Sequence, residues 1–370
     1  MPTIVSSTIL MVIVCILARE SDKRTIKFQT DYGEVYKEKL FVFLIIFSLS
    51  FYGAMRTKGN DTYAYISRFI NSQNISLTSF FSSGWSQEKG PLFVLLRILC
   101  KKYIINNYHI FFLIVGLITN GLIVCFMRKY SRTLVFPLYL YICMSGYGTS
   151  LTGMRQEMAT AVAIWTIPFA MEKKWLKFIV ILWISFRIHF ISILYIAVPF
   201  LLGKVWNSIA VVIVILTALA GIFFARFGEI LLDFADLLGF ENYNNSIIFG
   251  SSINIYRVLV YCVTPIWAYI KKEELSEKNP IVRCMGNISI LAASFVFLGL
   301  FGKANTFGRF GVLFEPSNYI TLLVVWDLLE DEKKKQILIK IIVVAFFIYN
   351  IFAHIKNGIW GDFYGMEFIF

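Results

Sequence analysis

"LFVFLIIFSLSFYGAMRTKGNDTYAY", residues 40–65, changes character in one step. Up to Met55 it carries no charged side chain, and then Arg56, Lys58 and Asp61 arrive within six residues. An uncharged apolar run of this kind reads as a membrane span over residues 39–55, and the charged stretch after it reads as the loop on one face. Runs like it recur along the chain, at 2–18, 107–127, 133–147, 156–171, 175–187, 189–203, 206–225, 253–270, 284–302, 310–328 and 337–353. The expected fold is therefore all-α: one polytopic transmembrane helical bundle of about 12 spans, with short amphipathic or re-entrant outer segments, occupying residues 1–370 as a single domain.

Composition agrees. Of 370 residues, 58% are hydrophobic and 16% charged, against about 25% charged in an ordinary soluble domain, and the mean hydropathy is +0.70. The 36 Phe suit lipid-facing positions, and the 19 Tyr and 8 Trp suit interface belts. The net charge of +12 does not indicate nucleic acid, because the basic residues sit mostly in short loops between apolar runs. Cys15, Cys100, Cys125, Cys143, Cys262 and Cys284 are scattered singly, which gives neither a disulfide framework nor metal-ligand spacing. The N-x-S/T triplets at Asn60, Asn74, Asn244 and Asn287 carry meaning only in a eukaryotic secretory setting. The first run lacks a basic region before it and a small-residue cleavage site, so it is expected to remain as an anchor.

Lys and Arg set the orientation. "ARESDKRTIKFQTDYGEVYKEK" is expected on the cytoplasmic side, and alternation then places "RKYSR", "EKKWLK", "KKEELSEKNPIVR" and "EDEKKKQILIK" there as well. Both ends of the chain come out on the outer side. Residues 86–103 hold an apolar core too short to cross and are expected to lie in the outer interface. On this topology the inner side has 16 Lys and 5 Arg, the outer side 6 Lys and 8 Arg. Lysine serves as a general cytoplasmic anchor, whereas the planar guanidinium grips phosphate or carboxylate at two points. An outer face rich in arginine at helix ends thus points to an anionic ligand, against the alternative that each arginine snorkels to lipid headgroups.

Ionisable residues at span ends are the candidates for chemistry. "GMRQEMATAVAIW" puts Arg155, Gln156 and Glu157 at a helix start, where the dipole favours anions and would equally favour Glu157 as a dipole partner. "SFRIHFIS" interrupts an apolar run and is expected to form a hairpin tip carrying Arg187 and His189. His189 is the best placed of three histidines, the others being His109 and His354, and imidazole works as base or acid near neutral pH. Asp61 and Glu88 are candidate carboxylates, with Asp61 also suited to a turn or cap. Glu229, Asp233 and Asp236 line the polar face of "FGEILLDFADLLGF", which reads as an amphipathic interfacial helix.

The ordered set "MRTKGNDTYAY", "EKGPLF", "GMRQEMA", "HFIS" and "GRFGVLFEP" resembles the EpsG-like family of multi-pass bacterial exopolysaccharide polymerases, within the wider Wzy-type polymerases. The chain departs from that pattern after Arg309, where a tyrosine–phenylalanine pair is expected. The resemblance implies a multi-pass protein of the bacterial cell membrane that acts on undecaprenyl pyrophosphate-linked oligosaccharide repeats at the outer leaflet, among membrane lipids. It also implies a flippase and a chain-length regulator of the same pathway as partners, no nucleic acid, no cofactor and no metal. Glycosyl transfer from such a donor leaves a lipid pyrophosphate whose charge needs fixed cations: Arg155, backed by Arg56, Arg257 or Arg309. His189, Glu88 and Asp61 are equal candidates to accept or orient the acceptor proton. Gln156, Arg187 and tyrosines such as Tyr63 and Tyr65 offer binding contacts. The alternative reading is a transporter or flippase of lipid-linked glycans, which would need ionisable residues along a path through the bilayer and is favoured by inverted repeats; none is evident. A ligase or acyltransferase, or a non-catalytic assembly subunit, fits less well.

Overall fold

A computed structural model describes residues 3–30, 33–59, 61–85, 88–237, 248–353 and 366–369. Asn60, Asn244, His354 and part of the segment after Arg226 lie outside the described residues, as does the side chain of Asp236. Contacts divide the chain into two compact units, residues 1–199 with 338–370, and residues 200–337.

The first unit runs α1 (Thr3–Lys23), a hairpin of β1 (Ile26–Thr30) and β2 (Gly33–Lys37), α2 (Leu40–Ala54), strand β3 (Arg56–Lys58), α3 (Thr62–Asn71), α4 (Pro91–Leu99), α5 (Tyr108–Tyr130), α6 (Val135–Cys143), α7 (Gly146–Thr152), α8 (Met154–Ala163), α9 (Thr166–Met171) and α10 (Trp175–Ile188). A 3₁₀ helix over Phe190–Leu201 follows. The second unit holds α11 (Ser208–Ile222), α12 (Phe224–Leu237), α13 (Ile255–Ile270), α14 (Pro280–Leu298), α15 (Ala304–Leu313) and α16 (Pro316–Asp327). Then come α17 (Glu332–Ala353) and the short strand β4 (Glu367–Phe368).

Helix is the dominant state, as expected, but the count of twelve spans is not confirmed. Among the described residues, four helices can cross a bilayer by length and composition: α1, α5, α14 and residues 332–352 of α17. The pair α11 and α12, bent by 104° at its break, makes a fifth if it counts as one span. Three of the expected spans are instead split. Residues 133–147 divide at Ser145, whose φ of 75° breaks the right-handed run between α6 and α7. Residues 156–171 divide between α8 and α9 because Pro168 has no N–H for the carbonyl of Ile164. Residues 310–328 divide between α15 and α16, where Pro316 opens the new helix. The all-helical expectation also missed two small antiparallel pairs, β1 with β2 and β3 with β4.

Packing in the first unit follows from side-chain size. α2 is apolar all round and packs on both α1 and α5. Val42, Ile45, Leu49 and Tyr52 are buried on its inner stripe, while Phe43, Phe47 and Phe51 form an exposed stacked ladder with ring centroids 6.3 and 5.7 Å apart. Gly116 of α5 lets the two helices close: a methyl group there would stand 3.1 Å from Ser50 Cβ. Small residues at such seams take the place of a hydrophobic driving force that lipid cannot supply. Asn120 donates to Ser50 Oγ at 3.2 Å and accepts from the Tyr141 hydroxyl at 2.9 Å, so the seam's polar groups are paired.

Hydrogen bonds also sort the unit's two ends. At one end Arg128 of α5 pairs with Asp22 of α1 at 2.6 Å, Leu134 N donates to Asp22 at 2.9 Å, Thr133 donates to the same carboxylate, and Ser21 reaches Glu38 at 3.1 Å. At the other end Thr3 Oγ1 donates to Met366 O at 2.9 Å, Ile369 N to Met55 O at 3.0 Å, and His109 Nδ1 to Ala54 O at 2.6 Å. The 21 residues of α1 span about 31 Å between them. The basic segment 19–39 and "RKYSR" therefore share one end, and Arg56–Gly59 sits at the opposite one.

Arg128 is almost fully buried, with a side chain 3% exposed. Asp22→Ala would strand that cation, and removing one member of a buried pair costs about 3–5 kcal/mol. The expected outcome is a lower thermal midpoint and lower steady-state level for D22A in detergent, with D22N losing less because its amide still accepts from Leu134 and Thr133.

Candidate functional site

The candidate site is built on a glycine. In "EKGP", Gly90 caps α4 and Pro91 starts it. A methyl group at Gly90 would lie 2.4 Å from the Ile188 carbonyl oxygen and 2.9 Å from Arg155 Cδ. No larger residue fits without moving one of them. Three stretches far apart in sequence, the Glu88–Gly90 turn, the start of α8 and the end of α10, thus meet at one point. Tyr65 of α3 joins them: its hydroxyl lies against the backbone amide of Arg155, and its ring packs edge-on to Phe93 at 6.1 Å. Burial raises the pKa of that hydroxyl, and the Arg155 amide and guanidinium act in the opposite direction. Beneath lies a core of Phe69, Phe93, Phe111, Phe112, Met154 and Ile188, with further side chains around it.

The cations around this point have distinct positions. Arg155 is half-buried at the start of α8. Arg187, in the last turn of α10, donates to Trp85 O at 2.9 Å and stands over the Trp85 ring at 4.8 Å. Arg56 does not stand at an outer mouth, as its sequence position implies. It is 2% exposed, its Nη1 donates to Gly53 O at 2.5 Å, its Nη2 contacts Met154 Sδ at 2.7 Å, and it lies over Phe112 at 4.0 Å. Burial lowers its pKa to about 10, so it stays charged at neutral pH. Its fixed neighbour is Met154, the residue before Arg155, so Arg56 braces the start of α8 from below. Arg97, which the sequence reading passed over, is also buried, with Nε donating to Ser72 Oγ at 2.8 Å. Arg56, Arg97 and Arg187 make no ion pair among the described residues. Guanidinium groups lacking carboxylate partners keep their capacity to bind an anion.

The acids and the histidine are distributed around it. Glu88 is exposed, two residues from the contact of Gly90 with Arg155, and its charge acts on Arg97. Asp61 is exposed at the N-cap of α3, yet its side chain makes no capping bond, so the cap role leaves its carboxylate free for other work. α10 ends at Ile188, and His189 is extended, with φ −153° and ψ 123°, before the 3₁₀ helix begins. The break expected at "RIH" is therefore present. His189 is buried, its carbonyl accepts from Ser192, and its ring stacks on Phe190 at 5.2 Å. Gln156 and Glu157 are both buried in the first turn of α8. Among the described residues no group of three His, Cys, Asp or Glu side chains converges as metal ligands would.

Arg257 and Arg309 belong to the second unit. There α14 is the central helix, packed by α11, α13, α15 and α16. Arg257 is half-buried, 2.9 Å from where a methyl group on Gly308 would stand and 5.8 Å from the Tyr261 ring, whereas Arg309 is exposed. Glu315, in the same "GRFGVLFEP" stretch, is fully buried and accepts hydrogen bonds from the hydroxyls of Tyr261 and Tyr319, the latter at 2.6 Å. Its signal in the sequence is a lone carboxylate inside an apolar run, followed by proline.

Gly90→Ala tests the convergence. The variant is expected to reach the membrane at a normal level yet to lose most of its activity, because Ile188 or Arg155 must move by several tenths of an ångström. A substitution at the exposed Lys89 should leave activity unchanged. The size distribution of the polymer that the sequence resemblance implies, measured beside membrane protein level, checks both.

No curated protein and no solved structure matches the chain. The EpsG family does match, over residues 39–366. That region takes in the charged stretch after α2, the Gly90 turn, the start of α8, the His189 break and Glu315, in the order the sequence resemblance requires. The chain belongs to the EpsG family, and with it to the exopolysaccharide polymerase-like proteins.

Proposed function

We propose that this chain joins undecaprenyl pyrophosphate-linked oligosaccharide repeats at the outer face of the bacterial cell membrane. The supporting observation is the meeting of Gly90, Arg155 and Ile188, which sets guanidinium groups without carboxylate partners around a half-buried arginine at a helix start. In the transfer, an acceptor sugar hydroxyl attacks the anomeric carbon of the growing chain. The new C–O bond forms as the bond to the pyrophosphate oxygen breaks, and the bonding pair leaves on the lipid pyrophosphate. Arg155, at the positive end of α8, meets that developing charge, with Arg187 supporting it and Arg56 holding α8 in place. Glu88 takes the hydroxyl proton most readily, since it is exposed beside the arginines while His189 is buried. His189 and Asp61 then orient the acceptor. Fixed guanidinium groups supply the positive charge in this scheme, so polymerisation is expected to persist in excess EDTA.

The charge bias of the loops and the separation of the unit's ends support the outer location. Arg56, and through it Met154 and Arg155, lies at the end opposite the basic segments 19–39 and 128–132. Gathering of the first unit's candidates at one end of that unit also favours a polymerase over a flippase, which needs a route through the bilayer.

Arg155→Ala and Arg155→Lys, made in the native host, test the reading. Both proteins are expected in the membrane, with glycan confined to single lipid-linked repeats and long polymer reduced roughly a hundredfold or more, the scale of losing one charge-stabilising donor. Normal polymer from the alanine variant overturns the assignment. Repeats that fail to reach the outer face support the flippase instead.

A further inference from the structure

Arg97 is 7% exposed, in the one segment, 86–103, whose apolar core is too short to cross a bilayer. Burying a guanidinium is costly unless its donors are used, and here one is. Nε donates to Ser72 Oγ at 2.8 Å, and Ser72 in turn donates to Arg68 O at 2.7 Å, which fixes the hydroxyl from both sides. Neither terminal nitrogen of Arg97 forms a hydrogen bond or ion pair with any described residue. The contrast with Arg56 is direct, because both terminal nitrogens of Arg56 are engaged inside the protein. Arg97 also lies in the electrostatic field of Arg155, Arg68 and Glu88. A buried, oriented cation whose two terminal nitrogens engage no described residue, on the helix whose start touches Arg155 at Gly90, is a seat for an anion carrying charge at two linked centres.

We propose that Arg97 is a binding residue of the Arg155 site, that Arg97 and Arg155 each take one of two linked phosphate groups, and that Ser72 is the positioning residue that aims Arg97. The inference rests on the phosphate reading of the site and adds to it a second contact point. A single phosphate fills only the Arg155 seat, so the pair selects pyrophosphate over monophosphate.

The test uses the full-length chain in detergent, titrated with inorganic pyrophosphate and separately with inorganic phosphate, with binding followed by calorimetry. The wild type is expected to prefer pyrophosphate. Arg97→Gln should weaken pyrophosphate binding roughly tenfold or more, the scale of one charge-assisted bond, and leave phosphate binding unchanged, whereas Arg155→Ala weakens both. Ser72→Ala keeps the charge and loses only the aim, so it should lower pyrophosphate affinity with an unchanged thermal midpoint. If Arg97→Gln does not fold, Ser72→Ala and Arg97→Lys carry the test. Wild-type pyrophosphate affinity in the folded Arg97 and Ser72 variants overturns the proposal, as does an equal loss for both probes or a wild type without preference. Binding that depends on Arg97 alongside normal polymer from Arg155→Ala keeps the anion seat and rejects the polymerase reading. Polymer lost in Arg155→Ala alongside Arg97-independent binding does the reverse.

Discussion

A single missing side chain sets the geometry of the candidate site. With hydrogen at Gly90, the Ile188 carbonyl and the aliphatic stem of Arg155 can both press against the same backbone atom. The rest follows from that approach. α4 begins there, so Arg97, two turns along, is carried into the core toward Ser72. α10 ends there, so Arg187 turns back onto Trp85 and His189 leaves the helix as extended chain. α8 begins beside it, braced from below by Arg56 through Met154 and capped by Tyr65 at the Arg155 amide.

The same constraint makes the region electrostatically unusual. Helix starts and guanidinium groups add positive potential there, and two of those groups, Arg56 and Arg97, are withdrawn from water. In such surroundings each charge acts over a longer range than it would in solvent. Aromatic faces and a thioether take the place of carboxylates: Phe112 and Met154 for Arg56, Trp85 for Arg187. These partners hold a guanidinium without neutralising it, which leaves its charge available to a ligand. At the other end of the unit the rule reverses, and Arg128 is neutralised by Asp22. One end spends its arginine on an ion pair, and at the other Arg56 and Arg187 lie against aromatic faces and a thioether.

The second unit uses another device. Glu315 sits where Pro316 interrupts the helical run, and two tyrosine hydroxyls satisfy its carboxylate. Arg257 stacks near one of those tyrosines and over Gly308, so the glycine of "GRFG" again serves close approach. Arg309, the arginine inside "GRFGVLFEP", is exposed.

Sequence alone determined the helical class, the membrane character and the family, because those depend on apolar run length, on loop charge and on ordered local motifs. It also marked Arg155, Glu88, Arg187 and His189, since each stands at an interruption of an apolar run, and interruption is a local signal. The tertiary structure decided the remainder. Whether a run stays one helix depends on Ser145, Pro168 and Pro316 acting in their three-dimensional settings, so twelve apolar runs did not become twelve long helices. Arg56 is turned inward onto Phe112, and Arg97 is buried against Ser72. Those placements depend on which side chains approach across α3, α4, α5 and α8, and contact between residues tens of positions apart leaves no trace in either periodicity or composition.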